Sequence, residues 1–192
     1  MKCISCNKPA TIILKHLQPY CCACFCRMIE KRVRKFVRIN KIFKKGDNIC
    51  IVDDSSHDFL NTQFLLKSII KGLPVKIEVL KIRIGNRWDF LKDKKIIKLS
   101  KNSKIIIPWT MDDEDSLFLK NVFNSKISIK SHFIKLLINI TDDESAAFAK
   151  CRGFKVSKKG NKNNIKNLLN EIENKYPGSK FGLLKSSLEL VK

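Results

Sequence analysis

From Arg27 to Lys45, apolar positions recur at helical spacing. Ile29, Val33, Phe36 and Val37, with Asn40, share one side, while Lys31, Arg32, Arg34, Lys35 and Arg38 fall largely on the others. The pattern predicts an amphipathic helix with one packed face and a cationic remainder, ended by Gly46-Asp47. At Asn48 to Val52 the period changes to a short β-rich apolar run, of the kind buried in a parallel sheet. Phe59 to Ile70 reads as a helix and Val75 to Ile84 as a strand opened by Pro74, completing a strand–helix–strand unit. Further on, Ile96 to Leu99 and Lys104 to Ile107 read as strands, Asp112 to Phe123 as a helix, and Phe133 to Ile138 as a strand. Thr141-Asp-Asp-Glu144 has capping-box spacing and predicts a helix from Asp142 to about Cys151, stopped by Gly153. A polar basic loop at Lys158 to Asn164 precedes a helix to Lys175, the turn Tyr176-Pro177-Gly178, and a last helical piece ending near Leu190. This alternation favours an α/β fold with a Rossmann-like parallel sheet, and no internal repeat is visible.

At 192 residues and 44% hydrophobic, the chain can build one sizeable core with a small appended module. The expected organisation is a cysteine-rich knuckle at 1–26, a basic helix at 27–46 and an α/β domain at 47–192. A net charge of +21 exceeds what solubility requires and points to a polyanionic partner. No apolar run approaches the roughly 18 residues of a membrane span, and the N-terminus lacks the apolar core of a secretion signal. A cytoplasmic protein that does not bind membranes is expected.

Seven of the eight cysteines precede Val52, six of them within the first 26 residues. In a reducing cytosol such crowding reads as metal ligation rather than a disulfide framework. Cys3-x2-Cys6 and Cys21-x2-Cys24, separated by 14 residues, suit one tetrahedral zinc. Cys22, Cys26 and His16 are alternative ligands, and an iron–sulfur cluster is the less favoured occupant. The pairs run into a segment with nine Lys or Arg against one acid, Glu30. A metal-stapled module therefore delivers a cationic helix, and nucleic acid is the expected partner.

The first strand-to-helix turn is where an α/β domain would hold a nucleotide's phosphates. Phosphate cradling wants glycines for close backbone approach, and usually a lysine. Here the turn is Asp53-Asp54-Ser55-Ser56-His57-Asp58-Phe59, with neither. Two aspartates at its mouth would repel a triphosphate, so ATP is not expected as a cofactor.

The order of cysteine knuckle, IEKRVRKFVR (Ile29 to Arg38) and a strand ending in DDSSHDF resembles the TtuA-type tRNA 2-thiouridine synthetases, of the adenine nucleotide alpha-hydrolase or PP-loop superfamily. TMDDEDSLFLKNVF (Thr110 to Phe123) is similar to that family's GHNxDDE segment and following helix, and the segments Asp142 to Phe154 and Asn167 to Ser186 to its closing helices. The resemblance implies an N-terminal zinc finger and a domain whose SGGKDS loop binds ATP to adenylate a tRNA uridine before sulfur replaces its oxygen. The sequence departs from the pattern where chemistry would reside. Of the six loop positions only the aspartate persists, as Asp58; Ser55 and Ser56 stand for the glycines, His57 for the lysine and Phe59 for the last serine. Pro108, Trp109 and Thr110 replace Gly-His-Asn. The family's mid-domain Cys-x-x-Cys and later third cysteine, which hold a cluster or relay sulfur, have no counterpart between Cys50 and Cys151. The family's C-terminal zinc finger would need cysteines beyond Cys151, and the sequence has none.

The resemblance thus implies a non-catalytic paralogue, similar in logic to the inactive subunit of the eukaryotic cytosolic heterodimer that thiolates the wobble uridine. It would pair with an active synthetase, or self-associate, and hold tRNA through Lys31, Arg32, Arg34, Lys35, Arg38, Lys158, Lys159 and Lys162. The alternatives are an active ATP-dependent tRNA sulfurtransferase with an altered loop built from Asp54, Ser55, Ser56, His57 and Asp58, and a free-standing zinc-containing RNA-binding protein. Cys50 and Cys151 read as buried small apolar residues, Asp112 to Asp115 as first-turn acids suited to a helix's positive end, and Trp88 and Trp109 as core or rim residues.

Overall fold

The computed structural model of the chain describes residues 1–83, 87–124, 132–156 and 164–190. Helix α1 (Cys22–Ile39) is held by packing more than by propensity. Phe25, Ile29, Val33 and Val37, four residues apart, form a buried row. Burying four such side chains is worth at most about 6–12 kcal/mol, which a solvent-exposed helix would lack. The helix begins five residues before the predicted start and ends at Ile39 rather than at Gly46, because the Asn40 side chain caps the Phe36 carbonyl (2.9 Å) and Lys41 turns to φ 48°.

Strands β1 (Asn48–Asp53), β2 (Lys76–Lys81) and β3 (Lys104–Ile106) form a parallel sheet in the order β2-β1-β3. Asn48 pairs with Lys76, and Ile49 with both Ile77 and Lys104. Helix α2 (His57–Ile69) links β1 to β2. Between β2 and β3 lie a short 3-10 turn (Arg87–Leu91) and helix α3 (Lys94–Leu99). Then follow α4 (Met111–Phe123), α5 (Asp142–Cys151), α6 (Asn164–Lys175) and α7 (Ser179–Leu190). Ile49 and Ile51 face a core shared with α1, α2 and Phe148 of α5; Cys50 and Val52 face a second cluster with Phe90, Ile105, Ile107 and Trp109. Met111, Ile138 and Leu184 seat α7 on α4. The N-terminal helix and the sheet thus share one apolar cluster.

Two predicted strands differ from the structure. Ile96 to Leu99 lies in α3, because Asp93 accepts from the Lys95 and Ile96 amides (2.8 and 3.0 Å) and nucleates a helical turn. Phe133 to Ile138 forms only isolated parallel bridges, Ile106 to Ile134 and Thr110 to Leu137, because the chain turns between them. The capping box at Thr141 and Glu144 is present, and α5 runs over Asp142–Cys151 as its spacing requires. No helix among the described residues is long and apolar enough to cross a membrane.

Candidate functional site

The two Cys-x2-Cys pairs converge. The sulfurs of Cys3, Cys6, Cys21 and Cys24 all lie within 4.8 Å of one another, with Cys6 and Cys21 3.6 Å apart. Four thiolates around one tetrahedral zinc, at about 2.3 Å from the ion, stand about 3.8 Å apart. The group therefore has the compactness a single ion requires. Short local hydrogen bonds build it: the Cys3 amide donates to the Lys8 carbonyl (2.8 Å), and Asn7 at φ 59° makes the intervening turn. Desolvation pushes the Cys3 thiol up, but the amides of Cys21, Ser5 and Cys6 outweigh it and bring it down to about 6. Contact with Cys6 and Cys21 pushes Cys24 up to about 12. The four thiols thus act on one another, and holding an ion would require them to give up their protons.

The alternative ligands are engaged elsewhere. Cys22 is disulfide-bonded to Cys151, where the first residue of α1 meets the last of α5. That pairing corrects two readings, of an all-thiol cysteine set and of Cys151 as a plain buried residue. Cys26 is buried in the core. His16 lies between Glu144 and Glu173, at 3.5 and 3.7 Å. Burial pushes the Glu144 carboxyl up, yet His16, Arg32 and the Thr141 amide more than offset it and hold the group below its ordinary range.

Behind the cysteines, α1 presents its cations as one stripe. Arg27, Lys31, Arg34, Lys35 and Arg38 are exposed, at spacings of three, four, seven and eight residues that place them on one face. Arg34 is 3.5 Å from Glu30 and remains largely in water. Arg32 points the other way: its Nη1 donates to Glu144 (2.8 Å) and to the Asn139 carbonyl (3.0 Å), tying α1 to α5. Lys158, Lys159 and Lys162 lie outside the described residues.

The third element lies beyond the carboxyl ends of β1 and β3. The chain leaves β1 toward β2 on one side and α4 follows β3 on the other, so this is the topological switch point where α/β folds hold ligands. Here the crevice is closed by the protein's own charges. The Ser55 amide donates to Asp53 (2.7 Å) and the Ser56 amide to Asp54 (3.0 Å), while the Ser56 hydroxyl accepts from the Phe59 amide (3.3 Å). Carboxylates of the chain thus take main-chain donors that a phosphate would use. Ser55 sits at φ 60°, where the resembled loop has a glycine.

Over this loop lies Arg87. Its Nη2 is 2.6 Å from Asp58 and 3.2 Å from Asp54, and its Nη1 is 2.7 Å from Asp113. Burial pushes the guanidinium toward losing its proton, and Asp113, Asp58 and Asp54 reverse that and hold it well above its ordinary value. Lys166 of α6 bridges Asp113 and Asp142, and Lys180 of α7 pairs with Asp112. Burial and Asp142 push the Asp112 carboxyl up against the pull of Lys180. Asp58 also accepts from Ser145, whose carbonyl is bound by Asn61 (2.8 Å), locking α2 to α5. Trp109 is fully buried and donates to Glu114 (2.7 Å), and Lys120 rests over the Trp88 ring at 3.9 Å.

No protein-family model matches the chain. Over 107 residues it is 30% identical to tRNA-5-methyluridine(54) 2-sulfurtransferase of Thermotoga maritima, covering 55% of this chain and 33% of that protein. The chain thus spans about a third of the length of the curated relative it matches. Among solved structures it is similar to the U34-tRNA thiolase NcsA of Methanococcus maripaludis, described with its 4Fe-4S cluster. That likeness has a TM-score of 0.81 at 17% identity and covers all of this chain and 87% of the thiolase. The fold is that of the thiolase. It accounts for the α/β architecture with a parallel three-stranded sheet.

Arg87, Lys166 and Lys180 were not foreseen as site residues. The sequence holds the acids at 54, 58, 112, 113 and 142, but only the fold brings them to one crevice, where buried carboxylates need cations beside them.

Proposed function

We propose that the chain is a non-catalytic, tRNA-binding component of a tRNA uridine thiolation complex, working beside an active synthetase. One observation carries the reading: the crevice that would take a nucleotide is filled by Arg87, with Asp53 and Asp54 occupying the loop amides. ATP entry would require breaking a buried array of ion pairs while bringing phosphates against Asp54 and Asp58. The cysteine group holds zinc through Cys3, Cys6, Cys21 and Cys24; its compactness favours one ion over a multi-iron cluster, although the similar thiolase is described with a 4Fe-4S cluster. Bound zinc would supply structure, fixing the start of α1. From there Arg27, Lys31, Arg34, Lys35 and Arg38 meet phosphates, with Lys158, Lys159 and Lys162 as further contacts, and the partner performs the chemistry. The two relatives both act on tRNA, which is the polyanion that a chain of +21 would hold.

The decisive experiment pairs two titrations on the full chain. Calorimetry with ATP and magnesium is expected to give no binding at submillimolar concentration. Transfer RNA should bind with an affinity that falls steeply with salt, each neutralised phosphate contributing a slope of about −0.7 to −0.9. Tight ATP binding with pyrophosphate release in the presence of tRNA would establish the active sulfurtransferase instead. A flat salt dependence would remove the tRNA role.

A further inference from the structure

Strand β2 is an edge. Among the described residues it pairs only with β1. The Lys76 amide donates inward to the Asp47 carbonyl (3.1 Å) and the Ile82 amide to that of Asp53 (2.9 Å). Alternate residues of a parallel strand turn their main-chain groups the same way, so those of Ile77, Val79 and Lys81 face outward. The side chains add a second feature. Ile77 pairs with Ile49 and Val79 with Ile51, the two β1 residues whose face α1 and α2 cover. Yet Ile77 is 40% exposed and Val79 50% exposed. The apolar core face therefore runs past its cover onto a strand whose outward main-chain groups bond to none of the described residues, a combination that natural sheets ordinarily blunt.

Charge identifies the occupant. Lys71, Lys76, Lys81 and Arg83 are exposed along and beside the strand, against one exposed acid, Glu78. A second copy of the chain would set these lysines against their like and join two bodies of +21 each. RNA would answer the lysines but leave Ile77 and Val79 in water. We propose that β2 is a docking edge for an extended, acidic strand of a partner protein, which would add to the sheet through main-chain hydrogen bonds and cover Ile77 and Val79. The inference deepens the heteromeric reading and rests on it for the existence of a protein partner, while its own test is independent of tRNA.

The probe is a capped peptide of about nine residues, glutamate throughout except for a central Val-x-Val that meets Ile77 and Val79, so that glutamates lie beside Lys81 on that face and beside Lys76 on the other. With saturating peptide, hydrogen exchange at the amides of Ile77, Val79 and Lys81 should slow. Val79→Pro removes one outward N–H and none of the bonds to β1, and proline is tolerated at such edge positions. Affinity should then fall about tenfold, the worth of one hydrogen bond. Lys76→Glu/Lys81→Glu, which leaves the main chain untouched, should abolish binding of the glutamate peptide and admit its lysine counterpart. The proposal is overturned if no amide of β2 gains protection, or if the charge-swapped variant binds both peptides as the parent does. It also falls if sedimentation shows a dimer that itself protects β2, or if tRNA alone protects it. Salt-dependent tRNA binding by Val79→Pro should equal the parent's, so loss of the tRNA reading and loss of this edge are separate results.

Discussion

Two regions hold much of the chemistry of this chain, and they use the same residue types in opposite ways. On α1, Arg27, Lys31, Lys35 and Arg38 stand in water on one face, where a cation contributes little to stability and much to the field a polyanion meets. In the crevice beyond β1 and β3, Arg87, Lys166 and Lys180 are largely or wholly buried against aspartates. The open set is available to a partner; the closed set is consumed by the fold. Where a nucleotide-binding domain leaves its anion site vacant for substrate, this one supplies the anion and the cation itself.

The largest effect that would break the contrast is removal of the ion expected at the cysteine group. Chelation, or Cys3→Ser with Cys24→Ser, should loosen the residues ahead of α1, because, of the apolar side chains there, only Cys3 is fully buried, while Ile12, Leu14, Leu17 and Tyr20 are partly buried against the main core. The apparent contribution of zinc to small modules is on the order of 10 kcal/mol, most of it local folding free energy. Thiol titration should find Cys3, Cys6, Cys21 and Cys24 newly reactive after chelation, and Cys6 and Cys21 in the double variant, while the far-ultraviolet signal of the α/β domain persists. Loss of the whole fold would show the knuckle and domain to be one cooperative unit.

Next comes Arg87→Ala. It removes the cation shared by Asp54, Asp58 and Asp113, of which Asp113 keeps Lys166, and removal of one partner from a buried array costs about 3–5 kcal/mol. A lower urea midpoint at unchanged slope measures it. Arg87→Lys keeps the charge but cannot reach three carboxylates with a planar fork, and should fall between. A midpoint within experimental scatter of the parent would show that the crevice is not held shut by this residue.

Asp115 offers a smaller and signed test. It is fully buried on α4, and both carboxylate oxygens lack a hydrogen-bond partner among the described residues. Burial first, then Asp112 and Glu114, push it up to about 8 from 3.8. A raised acid favours the folded state fully below pH 3.8, where both states are protonated. That advantage is lost as pH climbs toward about 8, because the unfolded chain gains charge that the folded one cannot. Asp115→Asn removes the titration. Its stability relative to the parent should therefore rise steadily between pH 4 and 8 and level off above. A constant difference across that range would mean that the group is ionised in the folded protein.

How much of this was legible before the structure depended on distance along the chain. The cysteine spacing, the face of α1 and the Thr141 capping box are local, and each is determined by residues within a few turns of one another. Ile96 to Leu99 shows where locality misleads: four residues carry no period, and Asp93 just outside them decides for helix. The 3-10 turn that carries Arg87 meets the loop after β1, and the helices that carry Lys166 and Lys180 meet the acids of α4 and α5, only through tertiary packing. Their aspartate partners lie 24 to 68 positions away, beyond the reach of any motif. Cys22 and Cys151, 129 residues apart, belong to the same class. The acids themselves could be read in advance, but not their meeting or the cations that would answer it.

The smallest expected effect on stability is the one that most sharply separates the two regions. Lys31→Ala/Lys35→Ala/Arg38→Ala removes three exposed cations from α1 and, being surface changes with alanine's better helix propensity, should alter the unfolding midpoint by less than about 0.5 kcal/mol. If these residues meet phosphates, the same variant should flatten the dependence of tRNA affinity on salt by about 2–3 units of slope, one phosphate at 0.7 to 0.9 each. Arg32→Ala is the internal control. Its guanidinium is bonded to Glu144 and Asn139, so it should lower the midpoint by about 2–4 kcal/mol while changing the salt slope hardly at all. A triple variant that loses stability but keeps its slope, or an Arg32 variant that keeps stability but loses slope, would mean that the open and closed charges of α1 had been assigned to the wrong sides of the helix.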